Sequence, residues 1–346
     1  MRALLKRLLP AVFASAILYG CAAPPLPDLY WPDPPDPPRV KFVTAYYGSG
    51  DFKAPGGMSE ALLGKESVDI NLRKPMSVHV DGNGKIYVTD TAASDVIILD
   101  KATKTGTTIG AMGSRVFTKP IGVSTDSSGR IYVTDSQANN VAVLDRGGNV
   151  VGSLAANEPL NMPSGIATDS ARKKIYVTDT RNHNIKVFDM ETLKQTNTIG
   201  RRGKGEGEFN FPSHIAVGPG GKLYVTDTQN GRVQIFDNEG KFIRTFGQFG
   251  DAPGMFGRPK GIGVDSEGHI YVADAAFNNV QIFDEEGQIL LSFSGYGENR
   301  SAMILPAGLT VDKDDYIYVV DSWNRRINVF EYLGDKHKER LAKEKK

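Results

Sequence analysis

The segment Gly261-Ile-Gly-Val-Asp265, followed by Ile270-Tyr-Val-Ala-Asp274 and Asn279-Val-Gln-Ile-Phe-Asp284, decides the reading of this chain, because it recurs. The tyrosine of its second run falls at Tyr87, Tyr132, Tyr176, Tyr224, Tyr271 and Tyr318, at intervals of 45, 44, 48, 47 and 47 residues. A proline opens each unit: Pro75, Pro120, Pro163, Pro212, Pro259 and Pro306. Short alternating apolar runs indicate strands, and a period near 45 residues is the size of one propeller blade. A single blade cannot bury its apolar faces alone. Six tandem copies therefore predict one closed, all-β assembly, a six-bladed β-propeller with four-stranded antiparallel blades.

Within each unit the first strand alternates apolar residues with small ones, as in Ile262 to Val264 flanked by Gly261 and Gly263. That pattern suits an innermost strand crowded around the axis. A turn of the form Asp-x-x-Gly follows in several units (Asp81 to Gly84, Asp126 to Gly129, Asp265 to Gly268), with the aspartate accepting backbone amides. The second strand ends on Asp90, Asp135, Asp179, Asp227, Asp274 or Asp321. A carboxylate repeated in every unit performs a task every unit shares, so these are expected to cap loops rather than to catalyse. Asn140, Asn182, Asn230, Asn278 and Asn324 are expected to support the same turns. The third strand carries a late aromatic or leucine for packing between blades, and the weaker fourth strand suits an outer edge.

Outside the repeats, residues 1–20 combine basic Arg2, Lys6 and Arg7 with an apolar run and end just before Cys21, the only cysteine. This reads as a secretory signal, too short to span a bilayer. Leu18-Tyr-Gly-Cys21 is similar to a bacterial lipoprotein processing box, in which the cysteine is lipidated, and no inner-membrane retention aspartate follows it. Residues 21–38 hold eight prolines and read as a stiff extended tether, or, through Tyr30 and Trp31, as a segment docked on the domain or on a partner. Val40 to Tyr46 reads as a strand that completes the sixth blade, whose own copy stops near Glu331. The propeller then spans 39–331, interrupted by an insertion at 48–72 with a helix-compatible run from Met58 to Lys65, and 332–346 forms a charged helical tail.

The net formal charge of +1 and the absence of a basic stripe give no case for nucleic acid. No P-loop, dinucleotide fingerprint, His-Glu-x-x-His or cysteine ligand set is present. Function is sought where one unit departs from its siblings. His79 and His214 replace small residues on first strands of opposite blades. They are expected to line the central channel, with or without a divalent metal between them. Arg181, Arg232, Phe277, Trp323, Arg325 and Arg326 follow one boundary in successive units and gather on one rim. Phe277 and Trp323 either form a paired aromatic contact for a partner or cover the end of the barrel. The long loops Gly200 to Asn210 and Gly247 to Gly257 are expected on the opposite or lateral surface.

The pattern Pro-x-Gly-Ile-x-Val-Asp, then (Ile/Leu)-Tyr-Val-x-Asp, then Val-x-(Ile/Val)-Phe-Asp resembles the NHL-repeat family of six-bladed propellers. Its clearest copies are Pro163 to Asp189, Pro212 to Asp237 and Pro259 to Asp284. The resemblance implies the fold, and it implies either a scaffold for protein or RNA or a peptidyl-amidoglycolate lyase. The lyase would imply a metal held by histidines from several blades, for which this chain offers only His79 and His214. The axial ligands of paraoxonase-like and gluconolactonase-like propellers find no match in Gly122, Gly165, Gly261 or Gly308. The expected function is a lipid-anchored binding scaffold for a protein, peptide or glycan partner in the bacterial cell envelope, at the outer membrane, with no cofactor. The alternative is a metal-dependent lyase or hydrolase in the channel.

Overall fold

A computed structural model describes residues 27–52, 69–110 and 116–344. Cys21, the signal segment and Met58 to Lys65 lie outside the described residues. The fold is a six-bladed propeller. Blade 1 is built from Pro75–Val80, Ile86–Asp90, Asp95–Asp100 and Thr105–Ile109, hydrogen-bonded in that order from the axis outward. Blades 2 to 5 repeat this, with innermost strands Pro120–Thr125, Pro163–Asp169, Pro212–Val217 and Pro259–Val264.

Blade 6 has five strands: Pro306–Val311, Tyr316–Asp321, Arg326–Tyr332, Val40–Tyr46 and Tyr30–Trp31. The N-terminal strand pairs antiparallel with the last repeat strand, Val40 against Tyr332 and Tyr46 against Ile327. First and last segments thus share one sheet, and the ring has no open seam. Tyr30–Trp31 pairs outside it, Trp31 opposite Val40, and the Trp31 ring meets Phe293 and Phe330 at 5.9 and 5.8 Å. The described part of the proline-rich segment is docked on the domain, rather than standing off it as a spacer. The apolar area of Trp31 is worth more against two phenylalanines than in water.

The glycines of the inner strands have a physical cause. A Cβ on Gly165 would stand 2.7 Å from His214 Cα and 2.8 Å from the Ser213 carbonyl, and one on Gly308 would stand 2.6 Å from Ser77 Cα. It is the backbone of the next inner strand, rather than the channel, that excludes a side chain there. Between blades, the tyrosine face of one sheet packs on the Ile/Phe face of the next. Tyr132, Val141 and Val143, for example, meet Ile175, Val177 and Phe188. Phe188, Phe236, Phe283 and Phe330 are all buried in these seams, as the third-strand pattern predicts.

Four strands per blade fix the distribution of loops. The second-to-third-strand turns and the connections to the next blade emerge on one face, and the remaining turns on the other. The loops at Gly200 and Gly247 therefore join the face of the rim residues, against the expectation of an opposite or lateral surface. Asn230 Nδ2 donates to the Gly203 carbonyl at 2.9 Å, which ties that loop to the blade 4 turn. The C-terminal helix, Asp335–Glu344, is held at its first turns by His337 and Arg340 on Glu331, at 2.7 and 2.6 Å. No helix among the described residues is long and apolar enough to cross a membrane.

Candidate functional site

The rim face is organised by the six repeated aspartates, all essentially without solvent exposure. They cap loops, in two forms. In blades 1, 2 and 5 the aspartate accepts both amides that precede the blade's proline: Arg73 and Lys74 on Asp90, Thr118 and Lys119 on Asp135, Gly257 and Arg258 on Asp274. In blades 3, 4 and 6 it accepts one such amide and the side-chain amide of Asn182, Asn230 or Asn324, at 2.7, 2.8 and 2.7 Å. The second preceding residue then turns to positive φ, at Met162, Phe211 and Leu305. Its N–H goes to the previous blade's turn, onto Asn139 Oδ1, His183 Nδ1 and Asn278 Oδ1. The asparagines expected to share one role thus divide: Asn182, Asn230 and Asn324 donate to the aspartate, Asn278 accepts from the next blade, and in blade 2 the accepting residue is Asn139 rather than the expected Asn140.

The consequence for the surface is chemical. On the rim face the residue before each proline is basic where the loop is of the first form (Lys74, Lys119, Arg258), and apolar where it is of the second (Met162, Phe211, Leu305). The rim is therefore amphiphilic.

The six rim candidates separate. Arg326 is 2% exposed, and its guanidinium is consumed by Asp321 Oδ2 at 2.9 Å, the Asn299 and Ala302 carbonyls at 2.7 and 2.6 Å, and the Tyr47 hydroxyl at 3.0 Å. Arg232 likewise serves Asp227 and the carbonyls of Gly205 and Glu208, at 2.9, 2.7 and 2.8 Å. Both hold the long loops in place, and this takes them out of the contact set. Arg181 and Arg325 remain exposed. Phe277 is half-buried over Gly257, whose Cβ would meet Phe277 Cζ at 3.2 Å, and it does not pair with Trp323. Trp323 is 63% exposed and lines a groove of about 800 Å³ with Tyr296, Leu305, Ile304, Asn278 and Arg258.

Tyr296 is 76% exposed, and sequence reasoning missed it. The signal lay in the connecting loops, which repeat as the strands do. Arg202 bridges Phe209, Phe249 bridges Phe256 and Tyr296 bridges Met303 in parallel, so Tyr296 and Phe249 occupy one loop position on successive blades.

In the channel, a cavity of about 180 Å³ is lined by both expected histidines, with Ser77, Ser124, Thr168 and Thr310 among its polar groups. His79 Nε2 pairs with Thr125 Oγ1 at 2.9 Å, and His214 Nδ1 with Ser213 Oγ at 3.1 Å. Burial lowers His79 to about 4, partly opposed by Asp81. Burial lowers His214 to about 3, and the charge of Lys260 adds to this. Both imidazoles are neutral at pH 7. A metal would find these two nitrogens. Among the described residues no group of three or more His, Cys, Asp or Glu is placed to hold one, and a zinc-type site takes three or four protein ligands.

Comparison with known proteins agrees with this architecture. Residues 218–339 match a family model described as a 6-bladed beta-propeller, and residues 160–188 match the NHL repeat. No curated protein matches in sequence. Among solved structures, the chain is similar to a streptogramin B lyase (17% identity, 76% of this chain and 95% of that chain, TM-score 0.57). It is also similar to an auxiliary nutrient binding protein from Bacteroides thetaiotaomicron (16%, 75% and 69%, TM-score 0.61) and to a chain of a nidogen/laminin complex (20%, 66% and 85%, TM-score 0.53). At these identities the likeness is one of fold, which catalytic and non-catalytic proteins share.

Proposed function

We propose that this chain is a non-catalytic binding protein that takes a protein segment on the rim face, in the groove beside Trp323. The observation that carries the reading is the exposure of Trp323 and Tyr296, at 63% and 76%, around one concavity. Large aromatic side chains left in water at a groove are the usual anchors of protein recognition, and arginine is enriched beside them. Arg258 and Glu298 both line the groove, so the segment sets apolar anchors beside polar groups that meet one charge of each sign. Two of the structurally similar proteins are described as a nutrient binding protein and as part of a protein complex, which supports the reading. The chain acts in a bacterial cell envelope, at the outer membrane, lipid-anchored through Cys21.

A photo-crosslinking residue placed at position 323 or 296 is expected to capture one partner from intact envelopes. The same residue at Lys313, on the opposite face, should not. Equal capture from both faces, or capture from 323 that survives Tyr296→Ala and Arg325→Ala together, would reject the groove. Incorporation of labelled palmitate, abolished by Cys21→Ser, tests the anchor.

A further inference from the structure

We propose that blade 1 binds a divalent cation of the calcium class against Asp90 and Asp95, at the place where blades 4 and 6 hold an arginine of their own. The third strand of every blade starts with a residue paired directly opposite the repeated aspartate: Asp95, Asn140, Asn184, Arg232, Asn279 and Arg326 in blades 1 to 6. Directly opposed residues of an antiparallel pair present their side chains to the same face of the sheet. In blades 4 and 6 the two meet as an ion pair, Arg232 and Arg326 each donating from Nε to the aspartate Oδ2 at 2.9 Å. Blade 1 inverts the sign of that partner, so one carboxylate faces another.

Both acidic residues are buried, Asp90 with no exposure and Asp95 at 4%. Asp90 accepts the amides of Arg73, Lys74, Ala92 and Ala93. The Asp95 carboxylate has no hydrogen bond or ion pair among the described residues, and its Oδ1 is buried without a partner. Burial and the Asp90 charge both act against an ionised Asp95, and the exposed Arg73 opposes them. Asn184 and Asn279 also leave Oδ1 buried and unpartnered, but a neutral amide oxygen is satisfied by a water. Two facing carboxylates require positive charge.

The chemistry of the donors selects the ion. Oxygen ligands without nitrogen or sulfur suit a hard cation. Among the described residues no third His, Cys, Asp or Glu joins the pair, so backbone carbonyls and waters complete the shell. Calcium, with its adaptable shell of roughly six to eight oxygens, accepts such a mixture more readily than magnesium, which demands a near-ideal octahedron. The repeat brings a carbonyl to this side of the third strand. Four residues before the proline of blades 4, 5 and 6, the carbonyls of Glu208, Met255 and Ala302 accept from Gln234, Gln281 and Asn328, at 2.7, 2.9 and 3.3 Å. The corresponding residue of blade 1 is Asn71, and the corresponding third-strand residue is Ile97, which has no side-chain donor. With only two carboxylates the site belongs with weak calcium sites, whose dissociation constants lie near 10⁻⁴–10⁻³ M, on the order of extracellular modules.

The melting temperature of the purified chain at pH 7.5 is expected to rise by roughly 2 °C or more when about 5 mM calcium chloride replaces a chelator. Choline chloride at the same ionic strength should not reproduce the rise. Asp95→Asn gives blade 1 the residue that blades 2, 3 and 5 carry at this place, so it should fold. It should melt above the unsubstituted chain in chelator and lose the calcium response. Arg73→Gln removes a competing positive charge and should tighten calcium binding about threefold in calorimetric titration. That variant keeps the test open should Asp95→Asn fail to fold. Equal melting of the unsubstituted chain in calcium and chelator, a calcium shift retained by Asp95→Asn, a shift of the same size in choline chloride, or weaker calcium binding by Arg73→Gln would overturn the proposal.

Discussion

The Nδ1 atom of His183 accepts the backbone N–H of Phe211 at 3.2 Å across the boundary between blades 3 and 4, and the two rings meet edge to face at 4.6 Å. Asn139 and Asn278 do the same work at the boundaries after blades 2 and 5. A histidine that looks like an arbitrary loop residue is thus a seam bond between repeats, and it works only with Nδ1 unprotonated. Burial, with Arg202 adding to it, holds its pKa below the ordinary value.

His183→Asn should consequently leave stability nearly unchanged, since asparagine fills this role elsewhere in the ring. His183→Ala strands the Phe211 amide and should cost about 1–2 kcal/mol in urea denaturation. The pH dependence follows from the lowered pKa. The contribution is fully present above the unfolded value near 6.5, and it is lost as pH falls through the folded value. His183→Asn should flatten that acid limb of the melting curve.

Arg326 and its neighbour Arg325 should separate just as cleanly. Arg325 is an exposed turn residue at φ 57, whereas Arg326 is buried on Asp321. Arg326→Ala leaves a buried carboxylate without its counter-charge and should destabilise by about 3–5 kcal/mol. Arg325→Ala should change stability by no more than about 0.5 kcal/mol. Comparable losses from the two, measured by chemical denaturation, would contradict the assignment.

Why the two were indistinguishable in sequence is instructive. Both follow Trp323 within the same turn, and a period near 45 residues aligns positions without revealing which side of a strand each occupies. Arg326 starts the third strand opposite Asp321, and that register makes it internal. The ring, the count of six, the closure by Val40–Tyr46 and the channel histidines were legible because strand alternation and spacing encode them directly. The destination of the long loops follows from the parity of four strands per blade, which no single motif in the loops encodes. The groove was not legible, because Tyr296 and Trp323 approach through loops whose course depends on which of two capping forms each aspartate adopts.

Blade 1 departs from its siblings at Asp95, which sits where blades 4 and 6 place Arg232 and Arg326. It pairs in register with Asp90, so a carboxylate faces a carboxylate, and Asp95 Oδ1 is buried with no partner. Burial, reinforced by the Asp90 charge and opposed by Arg73, pushes Asp95 up to about 6. A folded pKa above the unfolded 3.8 gives stability that is complete below 3.8 and is lost as pH rises through 6. Asp95→Asn should therefore stabilise the chain at pH 7.5, by on the order of 3 kcal/mol at most, and have little effect at pH 4. An equal effect at both pH values would show that Asp95 is already protonated or otherwise neutralised.

The closure of the ring yields the most demanding test. Val40–Tyr46 supplies the fourth strand of blade 6, and the Phe42 ring meets Phe330 edge to face at 5.6 Å within the same seam as Phe293. A chain beginning after Tyr46 would expose the edge of Arg326–Tyr332 and leave that seam half-filled, so it should fail to fold or should associate through the open strand. A chain beginning at Arg39 keeps the closing strand and loses Tyr30–Trp31, together with the Asp28–Lys41 ion pair and the Leu29 carbonyl that accepts the Phe42 amide. It should remain folded and monomeric, with a cost close to that of Trp31→Ala, about 2–4 kcal/mol for a half-buried indole against two phenylalanines. Size-exclusion and denaturation measurements on the two truncations distinguish a strand that closes the ring from one that only covers its edge. A folded, monomeric chain lacking Val40–Tyr46 would mean that the sixth blade does not need its N-terminal partner.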